Sequence, residues 1–160
     1  MDETAKLADA EQPRGLFTST IDDKGRLKLP AAFQAFLNGL GETKVFCTSF
    51  DERIARLYPI SRWKETEELF RSQTEDAEDA EDLYFLAMDL GGDADMDGQG
   101  RVLIPSELRK SLNIEGKPVY LEHSKGHIKV YGKEVYDQRK ERARQNLGSK
   151  LKNFEKKGLQ

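Results

Sequence analysis

A short motif occurs twice in the chain and constrains its fold more than any other feature. Residues 22–33 read DDKGRLKLPAAF, and residues 97–108 read DGQGRVLIPSEL. Weaker similarity follows at nearly the same spacing, because KVFCTSF (44–50) resembles PVYLEHS (118–124) and IARLYP (54–59) resembles HIKVYG (127–132). A repeat of this kind indicates two copies of one structural unit.

Each copy predicts the same order of elements. A strand-like run, GLFTSTI (15–21) in the first copy, leads into D-x-x-G-R, whose Asp and Gly favour a turn. A second strand then ends at a proline that suits a helix start. In the first copy, apolar residues spaced as on one helix face follow: Phe33, Phe36, Leu37 and Leu40. Two short strands and a polar helix (61–72 or 133–147) complete each copy. One copy has too few apolar residues to fold alone, so we expect an α+β protein of two packed repeats.

The charge of the chain is unevenly distributed. The net charge is −3 at pH 7, but residues 65–97 carry thirteen acids and one base, and residues 133–157 carry nine bases and four acids. The total therefore neither supports nor excludes nucleic acid as a partner. A single cysteine, Cys47, excludes an internal disulfide and fits a reducing compartment. With no long apolar run and no apolar leader at the N-terminus, we expect a cytoplasmic protein without a membrane partner.

The paired D-x-x-G-R-x-x-[IL]-P motifs, with Arg14-Gly15 ahead of the first strand, resemble those of the MraZ family. The halves of that family are related to the AbrB-type (SpoVT-AbrB) swapped-hairpin domain. The resemblance covers residues 14–147 and implies two tandem repeats packed as a pseudo-symmetric β-barrel, followed by a polar C-terminal helix. It also implies a transcriptional regulator of the bacterial division and cell-wall gene cluster. Such a regulator acts at the nucleoid as a homo-oligomeric ring on repeated boxes of double-stranded DNA.

We expect five segments on this basis. They are a disordered extension (1–13), a first repeat (14–64), an acidic inter-repeat segment (65–90), a second repeat (91–136), and a basic C-terminal helix and tail (137–160).

The two motifs provide a candidate DNA-binding site. A glycine-containing tip can approach a groove closely, and an adjacent arginine reaches phosphates or guanine edges. Each aspartate lies four residues before an arginine, a spacing that suits an ion pair orienting the arginine. The alternative is that Asp and Arg only close the turn and contact no ligand. The predicted DNA-binding residues are Arg14, Lys24, Arg26, Lys28, Gln99 and Arg101, and the predicted structural residues are Asp22, Gly25, Asp97 and Gly100. The second loop is expected to be the weaker, because it lacks the lysines of the first.

Three other patterns suggest chemistry that the details do not support. Asp93, Asp95 and Asp97 open like a calcium loop, but loop position 12, where a bidentate Glu is required, is Ile104. His123 and His127 are separated by Gly126 in strand-like sequence, so their spacing does not predict a shared metal. Cys47 is expected to be a small buried residue. We found no catalytic pattern, so the sequence predicts neither an enzyme nor a cofactor, metal site or small-molecule substrate.

Two charged segments leave alternatives open. The MraZ family carries several arginines in its inter-repeat helix, which the resemblance places in TEDAEDAEDLYFLAMDLGGD (74–93). This chain has six acids there instead, which puts DNA contact from this segment in doubt: Glu75, Asp76, Glu78, Asp79, Glu81 and Asp82. The segment is either a solvated helix with an apolar end at an interface, or a docking surface for the basic C-terminus of another subunit. That C-terminus is expected to be helical as far as Gly148, and its charge serves either non-specific DNA contact or solubility. The functional alternatives are an oligomeric protein-binding scaffold with weak DNA affinity and an antitoxin-like AbrB-type regulator.

Overall fold

The computed structural model describes residues 11–160. Its strands are β1 (Leu16–Thr20), β2 (Arg26–Lys28), β3 (Lys44–Thr48), β4 (Ile54–Pro59), β5 (Gly92–Asp95), β6 (Arg101–Leu103), β7 (Pro118–Ser124) and β8 (His127–Gly132). Its helices are α1 (Ala31–Leu40), α2 (Ile60–Arg71), α3 (Ala77–Leu90), α4 (Ser106–Leu112), α5 (Lys133–Arg144) and α6 (Leu147–Lys156). The mixture of an antiparallel sheet with helices confirms the α+β class.

Strands from both halves of the chain form one sheet. Six antiparallel strands follow the order β1-β7-β8-β4-β3-β5, and β2 pairs with β6 in a separate two-stranded ribbon. Strand β1 of the first half therefore pairs with β7 of the second half, and β5 of the second half pairs with β3 of the first. The equivalent strands β4 and β8 pair with each other at the centre of the sheet.

The predicted closure into a β-barrel is wrong, because the six-stranded sheet is open. Strands β1 and β5 form its two edges and do not pair with each other. Apolar side chains of the ribbon cover the sheet instead, since Leu27 and Val102 are fully buried in the main core cluster. The core is completed by helix residues such as Phe33 and Leu108 and by sheet residues such as Val130.

Helix α1 forms as its sequence predicts. It begins directly after Pro30, whose φ is −57°, and ends at Gly41, whose φ of 71° lies in the left-handed region that glycine tolerates. Its buried residues are those of the predicted apolar face: Phe33, Phe36, Leu37 and Leu40.

The C-terminal helical segment differs from the prediction. Helix α5 ends at Arg144, because Gln145 is extended and Asn146 has a φ of 54°. Asparagine is one of the few residues other than glycine that adopt this conformation readily. A second helix, α6, then contains Gly148, where the sequence predicted the end of the helix.

The expected disorder of residues 1–13 falls largely on positions outside the described residues. Of the described part, residues 11–14 have no regular structure and Pro13 is buried. Within residues 11–160, no helix is long and apolar enough to cross a membrane.

Candidate nucleic-acid interface

The loop between β1 and β2 is organised by the carboxylate of Asp22. Its Oδ1 accepts hydrogen bonds from the backbone N–H groups of Lys24 (3.0 Å) and Arg26 (2.9 Å). Its Oδ2 accepts from Nε of Arg26 at 2.9 Å. The Gly25 N–H donates to the Asp22 carbonyl at 3.0 Å, with Gly25 at a φ of 87°. One aspartate thus closes the turn and orients the arginine at the same time.

The loop before β6 repeats this arrangement bond for bond. Asp97 Oδ1 accepts from the backbone N–H groups of Gln99 and Arg101, both at 2.9 Å, and Oδ2 accepts from Arg101 Nε at 2.8 Å. Gly100 N–H donates to the Asp97 carbonyl at 3.0 Å. The ion pair expected in each motif is therefore present in both. Because each carboxylate accepts the backbone N–H of its arginine, the pKa of Asp22 and that of Asp97 are lowered.

Each loop glycine faces a side chain from the other half of the chain. The guanidinium of Arg109, on α4, occupies the space where a Cβ of Gly25 would lie, and its Nη1 donates to the Ile104 carbonyl. The carboxamide of Gln34, on α1, occupies the corresponding space at Gly100. Glycine is required here both by its positive φ and by this close approach. A side chain from each half of the chain therefore packs against the loop of the other half.

The ribbon presents cations on its solvent-facing side. Leu27 pairs with Val102 and both are buried, so their neighbours in each strand point outward. On this outer side Arg26 pairs with Leu103 and Lys28 pairs with Arg101. Nζ of Lys28 also donates to the Gln99 carbonyl, which links the first strand to the second loop. The side chains of Arg26 and Arg101 are 30% and 26% exposed, so part of each is accessible to solvent.

The structure brings five of the six predicted DNA-binding residues together. Arg26, Lys28 and Arg101 share the outer side of the ribbon, and Lys24 and Gln99 lie exposed in the adjoining loops. Arg14 is separate. It precedes β1 and forms an exposed ion pair with Glu11 at 3.4 Å. Six residues of nearly extended chain lie between Arg14 and Ile21, where the loop starts, so the two are roughly 20 Å apart.

Three contributors to this surface were not predicted. Gln34 and Arg109 hold the loops, and Leu103 is a 54% exposed apolar residue between the cations. The repeat contained a signal for the first two, because Gln34 and Arg109 occupy equivalent positions in the two copies. The sequence gives no clear signal for Leu103. Strand β6 has only three residues, so its alternation of buried and exposed side chains is visible only once Val102 is known to be buried.

The residues of the calcium-like pattern have other roles. Asp93 and Asp95 lie on strand β5, where Asp93 forms an ion pair with Lys44 at 3.3 Å. Asp97 is committed to Arg101. In the part of the chain that the structure describes, no group of three or more His, Cys, Asp or Glu residues could hold a metal ion.

The two histidines lie on paired strands but have different surroundings. His123 packs against Phe36 of the core with ring centroids 4.8 Å apart. His127 stacks on Tyr58 at 4.5 Å. Cys47 is fully buried, as predicted, and burial raises the pKa of its thiol to about 12.

The fold and the ribbon define an α+β protein whose two homologous halves share strands and combine their basic loops on one surface. Comparison with known proteins identifies the family to which this chain is similar. A family model described as "MraZ protein, putative antitoxin-like" matches residues 93–154. The protein named Transcriptional regulator MraZ from Acidobacterium capsulatum is 32% identical over 129 residues, which is 80% of this chain and 87% of the relative.

Proteins of the same name give similar matches. The one from Koribacter versatilis is 37% identical over 105 residues, covering 65% of this chain and 71% of the relative. The one from Burkholderia cenocepacia is 30% identical over 144 residues, covering 88% and 97%. The chain belongs to the MraZ family. These relatives are named as regulators of transcription and not as enzymes.

Proposed function

We propose that this chain is a sequence-specific DNA-binding transcriptional regulator that contacts double-stranded DNA through the β2–β6 ribbon. The observation that carries the proposal is the joining of two identically hydrogen-bonded Asp–Arg loops on one exposed ribbon side. By the family resemblance, we further propose that it acts at the nucleoid, as a homo-oligomeric ring, on repeated boxes near the division and cell-wall gene cluster. Its relatives' names, as regulators of transcription, support the same class of function.

The two arginines have the same role in this proposal. Because Asp22 accepts a hydrogen bond from Nε of Arg26, the arginine side chain is already ordered before DNA binds. An oriented guanidinium of this kind can donate two parallel hydrogen bonds to a phosphate or to the O6 and N7 of guanine. Arg101 is oriented by Asp97 in the same way. Lys24 and Lys28 supply phosphate contacts, Gln99 supplies a neutral donor, and Leu103 supplies apolar contact with a base.

Oligomerisation follows from the small charge of the ribbon. The residues 22–28 carry three cations and two carboxylates, and the residues 97–103 carry one of each. Affinity of one chain for DNA would therefore be weak, because sequence-independent binding depends on the number of phosphates neutralised. Several chains held together raise the effective concentration of each further ribbon once the first has bound.

The test is binding to a duplex from upstream of the protein's own gene cluster, measured by fluorescence anisotropy across a range of salt concentrations. We compare the wild type with the double variant Arg26→Ala/Arg101→Ala. Binding should be lost or strongly weakened, and the dependence of log K on log salt should fall by about 0.9 for each phosphate contact removed. Among single variants, Arg26→Ala should weaken binding more than Arg101→Ala, because the lysines surround Arg26.

The matched control is Arg71→Ala, which removes an exposed arginine that is paired with Glu68 at the end of α2. It should bind as the wild type does. Arg14→Ala tests separately whether the first-strand arginine belongs to the site, since it lies at the far end of β1. Unchanged binding by the double variant would refute the ribbon as the site. Absence of wild-type binding even at low salt would favour the protein-binding scaffold.

A further inference from the structure

Within residues 11–160, helix α6 is an amphipathic helix whose apolar face is left exposed to solvent. Its apolar residues Leu147, Leu151 and Phe154 are spaced i, i+4, i+7 and therefore share one face. They are 49%, 44% and 54% exposed, and every residue from 147 to 160 is exposed. A helix of ten residues is marginal in water without tertiary packing. Its apolar face requires a surface to cover it.

The flanks of this face are basic. Residues 147–157 contain four lysines against the single carboxylate of Glu155: Lys150, Lys152, Lys156 and Lys157. At 100° of rotation per residue, Lys150 and Lys157 both lie on the same side of the apolar stripe and next to it. A complementary surface would therefore combine an apolar groove with carboxylates along its rim.

Helices α2 and α3 form such a groove. A cleft of about 240 Å³ between them is lined by Leu69, Phe70, Gln73, Asp76, Asp79, Ala80 and Leu83. Leu69 and Leu83 are 57% and 39% exposed, so the floor and walls are apolar and open to solvent. Asp76 and Asp79 lie at the rim, in a stretch (75–89) with seven carboxylates and no cation.

We propose that α6 of one chain docks in the α2–α3 groove of a second copy of this chain. Leu151 and Phe154 enter the apolar cleft, and the lysines beside them face Asp76 and Asp79. The proposal rests on the homo-oligomer of the proposed function and specifies one of its interfaces. It also accounts for the acidic residues at positions 75–82, which would repel a DNA backbone but attract the basic C-terminus of another chain.

The second copy is the occupant that the chain itself indicates. Both complementary surfaces are on every chain, so the contact can propagate from copy to copy around a ring. Among the described residues, α6 does not cover the groove of its own chain, because it leaves α5 after a two-residue bend and all of its residues are exposed. Charge complementarity selects this helix over the uncharged or acidic segments of the chain.

The experiment is thiol cross-linking between two differently labelled full-length variants, Leu69→Cys in the groove and Leu151→Cys on α6. A short bismaleimide is added to the mixture at low salt. The natural Cys47 does not interfere because it is fully buried. We expect a cross-linked heterodimer, with a yield several-fold above that of two matched controls. In the first control, the groove cysteine is replaced by Phe85→Cys, which lies on the outward side of α3. In the second, the α6 cysteine is replaced by Ser149→Cys, which lies opposite the apolar stripe.

A charge exchange makes the test specific. Asp76→Lys/Asp79→Lys in the groove chain should abolish the cross-link, and Lys150→Glu/Lys157→Glu in the α6 chain should restore it. Raising NaCl from about 0.05 M to about 0.5 M should also reduce the yield, because the Debye length shortens severalfold. All substituted positions are exposed, so thermal melting should confirm an intact fold.

Light scattering on the wild type distinguishes failure of this interface from failure of the proposed homo-oligomer. If the wild type is oligomeric but the groove and α6 variants do not cross-link above the controls, this interface is refuted while the oligomer stands. If the wild type is a monomer, both are refuted, whereas DNA binding by the ribbon is judged independently by anisotropy. If a chain carrying both cysteines gives only an internal cross-link, the groove is occupied by its own α6 and the proposal fails.

Discussion

The environment of His127 predicts a pH dependence of stability that can be measured directly. The side chain is 6% exposed at the start of β8 and stacks on Tyr58. Its Nε2 lies 3.3 Å from Nη1 of Arg56 on the neighbouring strand. Because arginine is always protonated, it can only donate, and the imidazole must be neutral to accept.

The charged groups around the ring all oppose its protonation. Burial is the main cause of the lowered pKa of His127, and the cations Arg56, Lys129 and Arg62 lower it further, against a small opposing effect of a backbone hydrogen bond with Lys125. The resulting pKa is about 3. In the unfolded chain it returns to about 6.5.

The sign of the effect follows from proton binding. Between the folded pKa and the unfolded pKa, the unfolded state binds more protons, so the free energy of unfolding rises with pH. Stability is therefore complete above about pH 6.5 and declines as the pH falls toward the folded pKa. Each pH unit within this window changes it by about 1.4 kcal/mol, so at pH 5 the loss is about 2 kcal/mol.

The assay is urea unfolding at pH 7.5, 6 and 5, which all lie above the usual pKa values of carboxylates. The chain concentration is kept fixed, because the stability of an oligomer depends on concentration. The wild type should lose about 2 kcal/mol across this range. His127→Gln should lose much less, since a glutamine oxygen can accept from Arg56 without titrating. His123→Gln is the matched control, and most of the loss should remain in it. Identical pH profiles for the wild type and His127→Gln would refute the reasoning.

Two further predictions concern the loop glycines and the cysteine. Gly25→Ala should destabilise the chain by about 1–2 kcal/mol, because alanine is strained at a φ of 87° and its Cβ would displace Arg109. Gly98→Ala, in the second loop but with open space around it, should change the free energy of unfolding by less than about 0.5 kcal/mol, and equal effects of the two changes would contradict this account. Cys47, whose thiol pKa is raised to about 12, should not react with a thiol reagent at pH 8 in the folded protein but should react fully in urea, and rapid labelling of the native chain would show that the core opens easily.

The repeat in the sequence predicted local structure well, and the reason is physical. Turn chemistry, capping and apolar spacing act within a few residues, so the two D-x-x-G-R loops, the prolines at helix starts and the buried face of α1 could all be predicted. Repetition, however, shows only which residues are equivalent. It does not show whether β1 pairs within its own half or with β7 of the other half. That choice depends on the packing of the whole core. Whether the sheet closes or stays open depends on the same packing.

The C-terminal break shows a second limit. The sequence predicts a helix end at Gly148, because glycine breaks a helical pattern and lowers helix propensity by about 1 kcal/mol. The chain instead bends at Gln145 and Asn146, and Gly148 lies within the first turn of α6, where a low propensity costs little. The apolar spacing of Leu147, Leu151 and Phe154 was the better signal, since it marks a continuous helix face across the glycine.

The β2–β6 ribbon, and not either loop alone, is the structural unit of the candidate interface. Leu29 N–H donates to the Gly100 carbonyl and Ile104 N–H donates to the Gly25 carbonyl, both at 2.9 Å, so each strand ends on the loop of the other half. Neither loop can take its shape without the other half of the chain. The two arginines are consequently held at a fixed separation, and under the proposed function a duplex that accepts one of them would meet the other in a defined register. With so few net charges per ribbon, DNA affinity under this proposal has to come from repeating that rigid spacing in several chains along one duplex.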